Sequence, residues 1–152
     1  MTLNAEILTQ TLYDQDYYLW LQTTIEQLRN SHFSALDREN LIEELESMGK
    51  SDKRALKSLL TRLLEHLFKL VYWTSERNYN ANKWKSEITA FRKQINDLLK
   101  DSPSLKPYLA EIIDDCFLDA REIVSHLINQ EIPHNKIATI EQLLNKDWFP
   151  EL

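Results

Sequence analysis

The sequence predicts an all-α fold, an antiparallel helical bundle of about five main helices plus a short C-terminal helix. The 152 residues contain one glycine, where average usage would give about eleven. Leucine fills 25 positions, and apolar residues recur at helical spacings of three and four. So few glycines leave no glycine-rich phosphate loop and few tight reversals, which disfavours β-sandwiches, Rossmann domains and P-loop enzymes. The length suits a single domain over residues 1–152.

The first half of the chain shows amphipathic segments separated by capping signals. In residues 16–30 the apolar side chains share one helical face. Asp14 and Asp16 suit the N-terminus of this helix, by capping and through the helix dipole. Asp37 predicts the start of a second helix. Gly49 should end that helix, because glycine adopts the left-handed C-cap conformation at little cost. Ser51 should then start the next helix.

The strongest helix pattern covers residues 52–74, where leucines recur at steps of three and four. The polar run SERNYNAN predicts a turn, and a fourth helix follows over about 83–100. A fifth helix is predicted over about 107–130, with Ile123 and Leu127 among its buried residues. Pro133 stops its continuation.

The end of the chain carries a further helix signal. Thr139 and Gln142 have the spacing of a capping box and predict a short final helix. The tail contains Trp148 and Phe149, which we expect to fold back onto the bundle.

Charge is distributed unevenly along the chain, whose net charge is −6. Residues 50–100 carry 12 basic and 5 acidic side chains, and the remainder carries 6 basic and 19 acidic ones. Either oppositely charged helices pack beside each other, or the basic segment presents a face to nucleic acid or an acidic partner. A pI near 5.2 disfavours a dedicated nucleic-acid-binding protein.

The chain shows no signal for an oxidising compartment or a membrane. Cys116 is the one cysteine, so neither an internal disulfide nor a cysteine-based zinc finger can form. The start MTLNAEILTQ lacks the basic and apolar parts of a signal peptide. No uncharged apolar window of about 18 residues is present. We therefore expect a cytoplasmic protein without a membrane span.

Two helix faces carry residues that could bind a ligand. The first is a basic–aromatic stripe at i, i+4, i+7 and i+11, formed by Arg62, His66, Lys69 and Trp73. Such a stripe can hold phosphate, carboxylate or a stacked base. The alternative is that the two cations are solvated while the histidine and tryptophan pack at the boundary of the core.

The second face has the same spacing and consists of Asp115, Asp119, Glu122 and His126. These side chains could hold a divalent metal if another helix completed the shell, or they could form a solvated face. They are weak candidates, and the sequence predicts no metal and no cofactor.

Nothing in the sequence matches a catalytic template, so no catalytic residue is predicted. There is no Gly-x-Ser-x-Gly elbow, and Cys116 falls on an apolar stripe, where a thiol packs rather than reacts. One short segment, REIVSH, resembles the signature of the HEPN ribonucleases. In that family an arginine and a histidine separated by four residues, here Arg121 and His126, handle RNA phosphate.

Six sequence blocks in a fixed order resemble the twenty-ninth of the domain-of-unknown-function families. The blocks span about residues 12–150 and read YDQDYYLWL, LDRENLIEELESMGKSDKR, LLEHLFKL, WKSEITAFRKQI, SPSL and WFP. The resemblance implies an all-α, bacterial, cytosolic protein of a type abundant in cyanobacteria, without an established activity. The recurring polar positions of the family map onto Asp14, Asp16, Glu43, Glu44, His66, Lys69 and Arg92.

Those polar positions suggest a charged cluster inside the bundle. His66, Lys69 and Arg92 could face Glu43 and Glu44 across the bundle in a partly buried cluster. A cluster of this kind could fix the register of the helices or carry chemistry.

The sequence thus indicates a protein of unknown molecular function. The favoured hypothesis is a non-enzymatic helical interaction or accessory module, with a protein partner or a second copy of the chain as its ligand. One alternative is an RNA-binding or HEPN-like ribonuclease domain, although nucleic acid is disfavoured by charge. The other is a bundle that binds a divalent metal or small ligand.

Overall fold

The computed structural model describes residues 11–152, which contain helices and no strand. The first ten residues, to which the expectation of no signal peptide refers, lie outside the described residues. The helices are α1 (Leu12–Gln15), α2 (Tyr17–Arg29), α3 (Arg38–Tyr72), α4 (Thr74–Asp101), α5 (Lys106–Ile128) and α6 (Ile140–Leu144), with 3-10 turns at Phe33–Ala35 and Pro103–Leu105. The predicted all-α fold is confirmed. None of these helices is both long and apolar enough to cross a membrane.

Helix α3 passes through Gly49 without interruption, so the predicted helix end at Gly49 and restart at Ser51 are wrong. Gly49 does not have a positive φ, and a left-handed cap requires one. A methyl group added there would meet no atom within 4 Å. A helix of 35 residues tolerates one interior glycine, because the cost relative to alanine is only about 1 kcal/mol. Residues 11–152 therefore contain four long helices where five were predicted.

The polar run after α3 is helical, contrary to the predicted turn and the predicted helix start near residue 83. Trp73 is the one residue between α3 and α4. Arg77 makes this tight connection possible, because its Nε and Nη2 donate to the carbonyls of Leu70 and Val71 at 2.7 and 2.8 Å. Carbonyls in the last turn of a helix have no partner within the helix. The arginine supplies one while its own segment continues as α4.

The chain divides into two compact units between Gly49 and Lys50. The first unit contains α1, α2 and the beginning of α3. Within its described part only Trp20 and Thr24 are buried. The Trp20 ring meets the Tyr13 ring edge-on, with centroids 4.8 Å apart. The carboxylate of Asp16 accepts the backbone N–H of Leu19 at 3.0 Å, which confirms the predicted cap.

The second unit contains the main core, built from residues 50–72 of α3 together with α4, α5 and α6. Trp73 stacks on Trp84, with ring centroids 5.7 Å apart, so α4 folds back along α3. On the other side, Phe68 of α3 meets Phe117 of α5 at 6.3 Å. Fully buried leucines and isoleucines fill the space between the helices: Leu56, Leu60, Leu63, Leu64, Leu67, Leu70, Ile88 and Ile95.

The C-terminal third follows the sequence prediction with one correction. Thr139 and Gln142 form both hydrogen bonds of the capping box that starts α6. Trp148 and Phe149 pack against the core, as expected. Ile123 and Leu127, predicted to be buried in α5, are 47% and 51% exposed. The buried face of α5 is instead completed by neighbouring positions on the helix, Phe117 and Val124.

Candidate functional site

A histidine–glutamate pair joins α3 to α4 in the second unit. Nε2 of His66 lies 2.5 Å from Oε2 of Glu87, and Nδ1 lies 2.8 Å from the carbonyl oxygen of Arg62. A carbonyl can only accept, so Nδ1 is the donor to Arg62. The second ring nitrogen faces the Glu87 carboxylate at hydrogen-bonding distance. The imidazole also meets the edge of the Phe91 ring at 5.1 Å between centroids.

The basic–aromatic stripe has a mixed environment in the structure. Arg62 is exposed, whereas Lys69 is half-buried like His66. Trp73 is half-buried against Trp84, with an interplanar angle of 20°. One face of the Trp73 ring is therefore already occupied by another ring. The stripe thus combines an exposed cation with side chains engaged in packing between α3 and α4.

Arg92 is a buried cation in contact with the C-terminal segment. Its side chain is 1% exposed. Nε donates to the carbonyl of Leu143 at 2.7 Å, and Nη2 donates to that of Gln142 at 3.3 Å. The guanidinium also lies 5.2 and 5.9 Å from the ring centroids of Phe149 and Trp148. Nη1 has no hydrogen-bond partner within residues 11–152. Burial lowers the pKa of Arg92, because the charged form is desolvated.

Glu44 is bound to tyrosines of the first unit. Its carboxylate accepts the hydroxyl of Tyr13 at 2.9 Å and also that of Tyr17. These hydrogen bonds favour the neutral phenols, and they raise the pKa of Tyr13 to about 12 and also raise the pKa of Tyr17. Glu43, the neighbour of Glu44, is exposed. Asp14 is exposed, and its carboxylate accepts the hydroxyl of Thr11 at 3.3 Å.

In the structure, members of the predicted polar cluster bind partners that the sequence did not indicate. Glu44 and its exposed neighbour belong to the first unit, whereas His66, Lys69 and Arg92 belong to the second. The missed partner of the histidine is Glu87, one turn before Phe91 on α4. Its place at the edge of the apolar stripe of α4 was the available signal. The backbone partners of the arginine left no signal in the sequence.

The weak metal candidates Asp115, Asp119, Glu122 and His126 are all exposed on α5. In the part of the chain that the structure describes, no three His, Cys, Asp or Glu residues are placed to hold a metal ion.

Arg121 and His126 line one open hollow of about 340 Å³. The arginine is held in place, since its Nε donates to the carbonyl of Ile132 at 2.6 Å. Glu122 and Glu131 line the same hollow. Two carboxylates at this position repel a phosphate, which disfavours the ribonuclease interpretation.

A smaller cleft lies beside α5 and has an apolar floor. It measures about 180 Å³ and is lined by Phe68, Asp114, Phe117, Leu118, Arg121, His134, Asn135 and Lys136. The Nζ of Lys136 is 2.6 Å from Oδ1 of Asp114 at its rim. We call it the α5 cleft.

The described part of the first unit exposes nine of its large apolar side chains. They are between 42% and 70% exposed, and we call them the first-unit apolar surface: Tyr17, Tyr18, Leu19, Ile25, Leu28, Phe33, Ile42, Leu45 and Met48. Tyr17, Ile25 and Leu28 lie on one side of α2 by helical periodicity. Exposed apolar residues that share one side of a helix, as these three do, mark an interaction site more often than single ones do.

Residues 12–149 match the family model described as Domain of unknown function DUF29. The chain belongs to the DUF29 family. The match covers nearly all of the described residues, both units included, and confirms the resemblance carried by the six sequence blocks. No curated protein and no solved structure matches the chain. Family membership therefore leaves the molecular function of this DUF29 protein to be argued from its residues.

The cysteine of this DUF29 protein has the environment of a packing residue. Cys116 is fully buried in α5, and its Sγ lies 3.9 Å from the carbonyl oxygen of Lys57. Burial raises the pKa of the Cys116 thiol. Because the thiolate is the reactive form, a raised pKa makes this side chain a poor nucleophile.

Proposed function

We propose that this DUF29 protein is a non-enzymatic interaction module whose first unit binds a basic, amphipathic segment of a protein partner. The single observation that carries the proposal is the first-unit apolar surface. Nine large apolar side chains are exposed in residues 11–49, while two side chains of that stretch are buried. Covering a side chain such as Leu45 fully is worth about 1.5–3 kcal/mol relative to leaving it exposed. A partner that covers several of them gains enough to bind stably.

Charge favours a basic partner. Residues 11–49 carry eight acidic and two basic side chains. Glu39, Glu43 and Glu46 on α3 are exposed and are interleaved with the exposed apolar residues Ile42 and Leu45. Lysines or arginines beside the apolar face of a partner helix would meet these carboxylates. This combination is typical of an amphipathic helix bound to an apolar groove with an acidic rim.

The polar residues of the second unit support a non-enzymatic interpretation. Both ring nitrogens of His66 are engaged, one by Glu87 and one by a backbone carbonyl, so neither is free to act as a general base. Arg92 is too buried to touch a ligand. The bacterial, cytosolic setting that the family resemblance implied fits a chain with one cysteine.

A model peptide tests this proposal directly. A labelled amphipathic helix of leucine and lysine, roughly 18 residues long, should bind the full chain, and its leucine–glutamate counterpart should not. The variants I25E and L45E place a charge on the first-unit apolar surface and should weaken binding at least tenfold. The variant Y79S is the matched control, because Tyr79 is an exposed aromatic residue of the second unit. Fluorescence anisotropy gives the affinities.

Three outcomes would overturn the proposal or part of it. Equal binding of the basic and acidic peptides would remove the role of charge. If I25E, L45E and Y79S all bind the basic peptide equally well, the first-unit apolar surface is not the binding site. A concentration-dependent mass in sedimentation that the first two variants abolish would replace the basic partner with a second copy of the chain.

A further inference from the structure

We infer that the α5 cleft binds a small monocarboxylate with an apolar body. The cleft belongs to the second unit, and this inference is independent of the partner proposed for the first unit. The floor of the cleft restricts the size of the ligand, the fixed cation favours a carboxylate, and the rim restricts the ligand's charge.

The floor of the α5 cleft is aromatic and rigid. Phe68 and Phe117 are 1% and 7% exposed, and their rings meet edge to face with centroids 6.3 Å apart. Leu118 adds a half-exposed aliphatic wall. The volume is about 180 Å³, and an engineered apolar cavity of roughly 150 Å³ holds a benzene ring. The cleft therefore has room for one ring or a short branched chain.

Arg121 supplies a charge that the protein leaves poorly neutralised. Its side chain is 15% exposed, and the carbonyl of Ile132 fixes the guanidinium. Its acidic neighbour, Glu131, is 89% exposed and 3.5 Å away. A contact of that length with a solvated carboxylate is weak. A ligand carboxylate brought to the guanidinium by an apolar body would make a stronger, shielded pair.

The rim of the cleft limits the charge of the ligand to one. Lys136 and Asp114 form a pair in which both side chains are more than 60% exposed. Such pairs contribute little, so the lysine can turn towards a bound carboxylate at small cost. Asp114 stays at the rim and opposes a ligand with two or three negative charges, such as a phosphate. An apolar monocarboxylate satisfies both conditions.

The wall opposite α5 is anchored, which keeps the cleft open in a defined shape. This wall is the connection between α5 and α6, and it is attached to the core by Ile132 and Ala138, which are 0% and 7% exposed. The N–H of Ile132 also donates to the hydroxyl of Ser125 at 3.2 Å. A preorganised wall reduces the conformational entropy that binding would cost.

Thermal unfolding and calorimetry of the full chain with 3-phenylpropionate test the inference. The carboxylate should raise the Tm in a saturable way. Its analogues 3-phenylpropanol and phenethylamine should bind at least tenfold more weakly. L118D and K136Q should weaken binding of 3-phenylpropionate at least fivefold, and the control K93Q, at an exposed lysine of α4, should leave it unchanged.

Arg121→Gln is a less clean test, because it also removes the bond to Ile132 and could loosen the wall. L118D and K136Q change exposed side chains, so they should alter binding without affecting folding, and they test the inference even if R121Q does not fold. The inference fails if no saturable binding is seen, if the alcohol binds as well as the carboxylate, or if L118D binds like K93Q.

Discussion

The Nε of Arg92 donates a 2.7 Å hydrogen bond to the carbonyl oxygen of Leu143, a residue 51 positions further along the chain. Leu143 belongs to the last turn of α6, a helix of five residues. An isolated helix of that length is unstable in water. The guanidinium caps the C-terminus of α6 by donating to its carbonyls. It also places a positive charge at the negative end of the helix dipole.

Arg92→Met should therefore detach the C-terminal segment from α4. We expect a loss of about 2–4 kcal/mol in the free energy of unfolding, because the buried carbonyl of Leu143 loses its donor and the carbonyl of Gln142 loses one of its two donors. Urea denaturation measures this loss. The matched control is Lys93→Met, an exposed neighbour, which should change stability by less than about 0.5 kcal/mol. A stable R92M protein would show that the desolvation cost of the guanidinium outweighs its contacts.

The His66–Glu87 pair should show energetic coupling. In a double-mutant cycle with H66L and E87Q, we expect a coupling of about 1 kcal/mol, since the histidine is 12% exposed while the glutamate side chain is 37% exposed. The control cycle pairs H66L with Q94A, an exposed site on α4, the helix that carries Glu87. The stability losses of these two variants should add within about 0.5 kcal/mol. Additivity in both cycles would contradict a stabilising interaction between His66 and Glu87.

H66L also separates a structural from a functional role for this residue. If the variant keeps its stability but loses the biological phenotype, His66 is functional. If it loses stability, or changes neither property, the functional interpretation is excluded.

The phenol of Tyr13 should titrate late. Its pKa is raised to about 12, so the folded state holds this proton while the unfolded chain releases it near the ordinary tyrosine value of about 10. The stabilisation from the neutral phenol is complete below that ordinary value. It is lost as the pH rises from there through about 12. Ultraviolet titration of tyrosinate checks this.

Two variants sharpen the titration. Y13F should reduce the late component to the contribution of Tyr17, whose pKa Glu44 also raises. E44Q should shift both phenols towards the ordinary tyrosine range, because the carboxylate that accepts their hydrogen bonds is gone. A late component of unchanged size in Y13F, or one that persists in E44Q, would assign the raised pKa to another of the six tyrosines.

Gly49→Ala should stabilise the protein by about 0.5–1 kcal/mol. Gly49 lies inside α3, has no positive φ, and has open space where the methyl group would go. Alanine then lowers the entropy of the unfolded chain without strain. Thermal unfolding compares G49A with the wild type. A destabilised G49A would instead support the helix break that the sequence predicted at this position.

The helices were predictable because their signal is local. Leucine spacing identifies the α3 region from Leu56 onward, and the capping box identifies α6, in both cases within a few residues of chain. The error at the polar run after α3 came from a segment whose structure depends on a contact with the preceding helix. A polar run such as SERNYNAN can be a turn or a solvated helix, and the decision here rests on Arg77 reaching back to the end of α3.

The candidate site was less accessible from the sequence for a similar reason. His66 was singled out by the local spacing of the basic–aromatic stripe, and Arg92 by the family resemblance. Their partners depend on the register between helices. Glu87 is 21 residues away from its histidine, and Leu143 contributes a backbone carbonyl, which has the same chemistry in every residue.

The one-residue connection at Trp73 has a consequence for synthesis. Because α3 and α4 meet directly, aromatic contacts such as the stacked rings of Trp73 and Trp84 join residues close together in the chain. During translation both arms of this hairpin leave the ribosome before α5 is made. The growing polypeptide can therefore shelter part of its leucine-rich surface early, which leaves less of it exposed to chaperones or to aggregation.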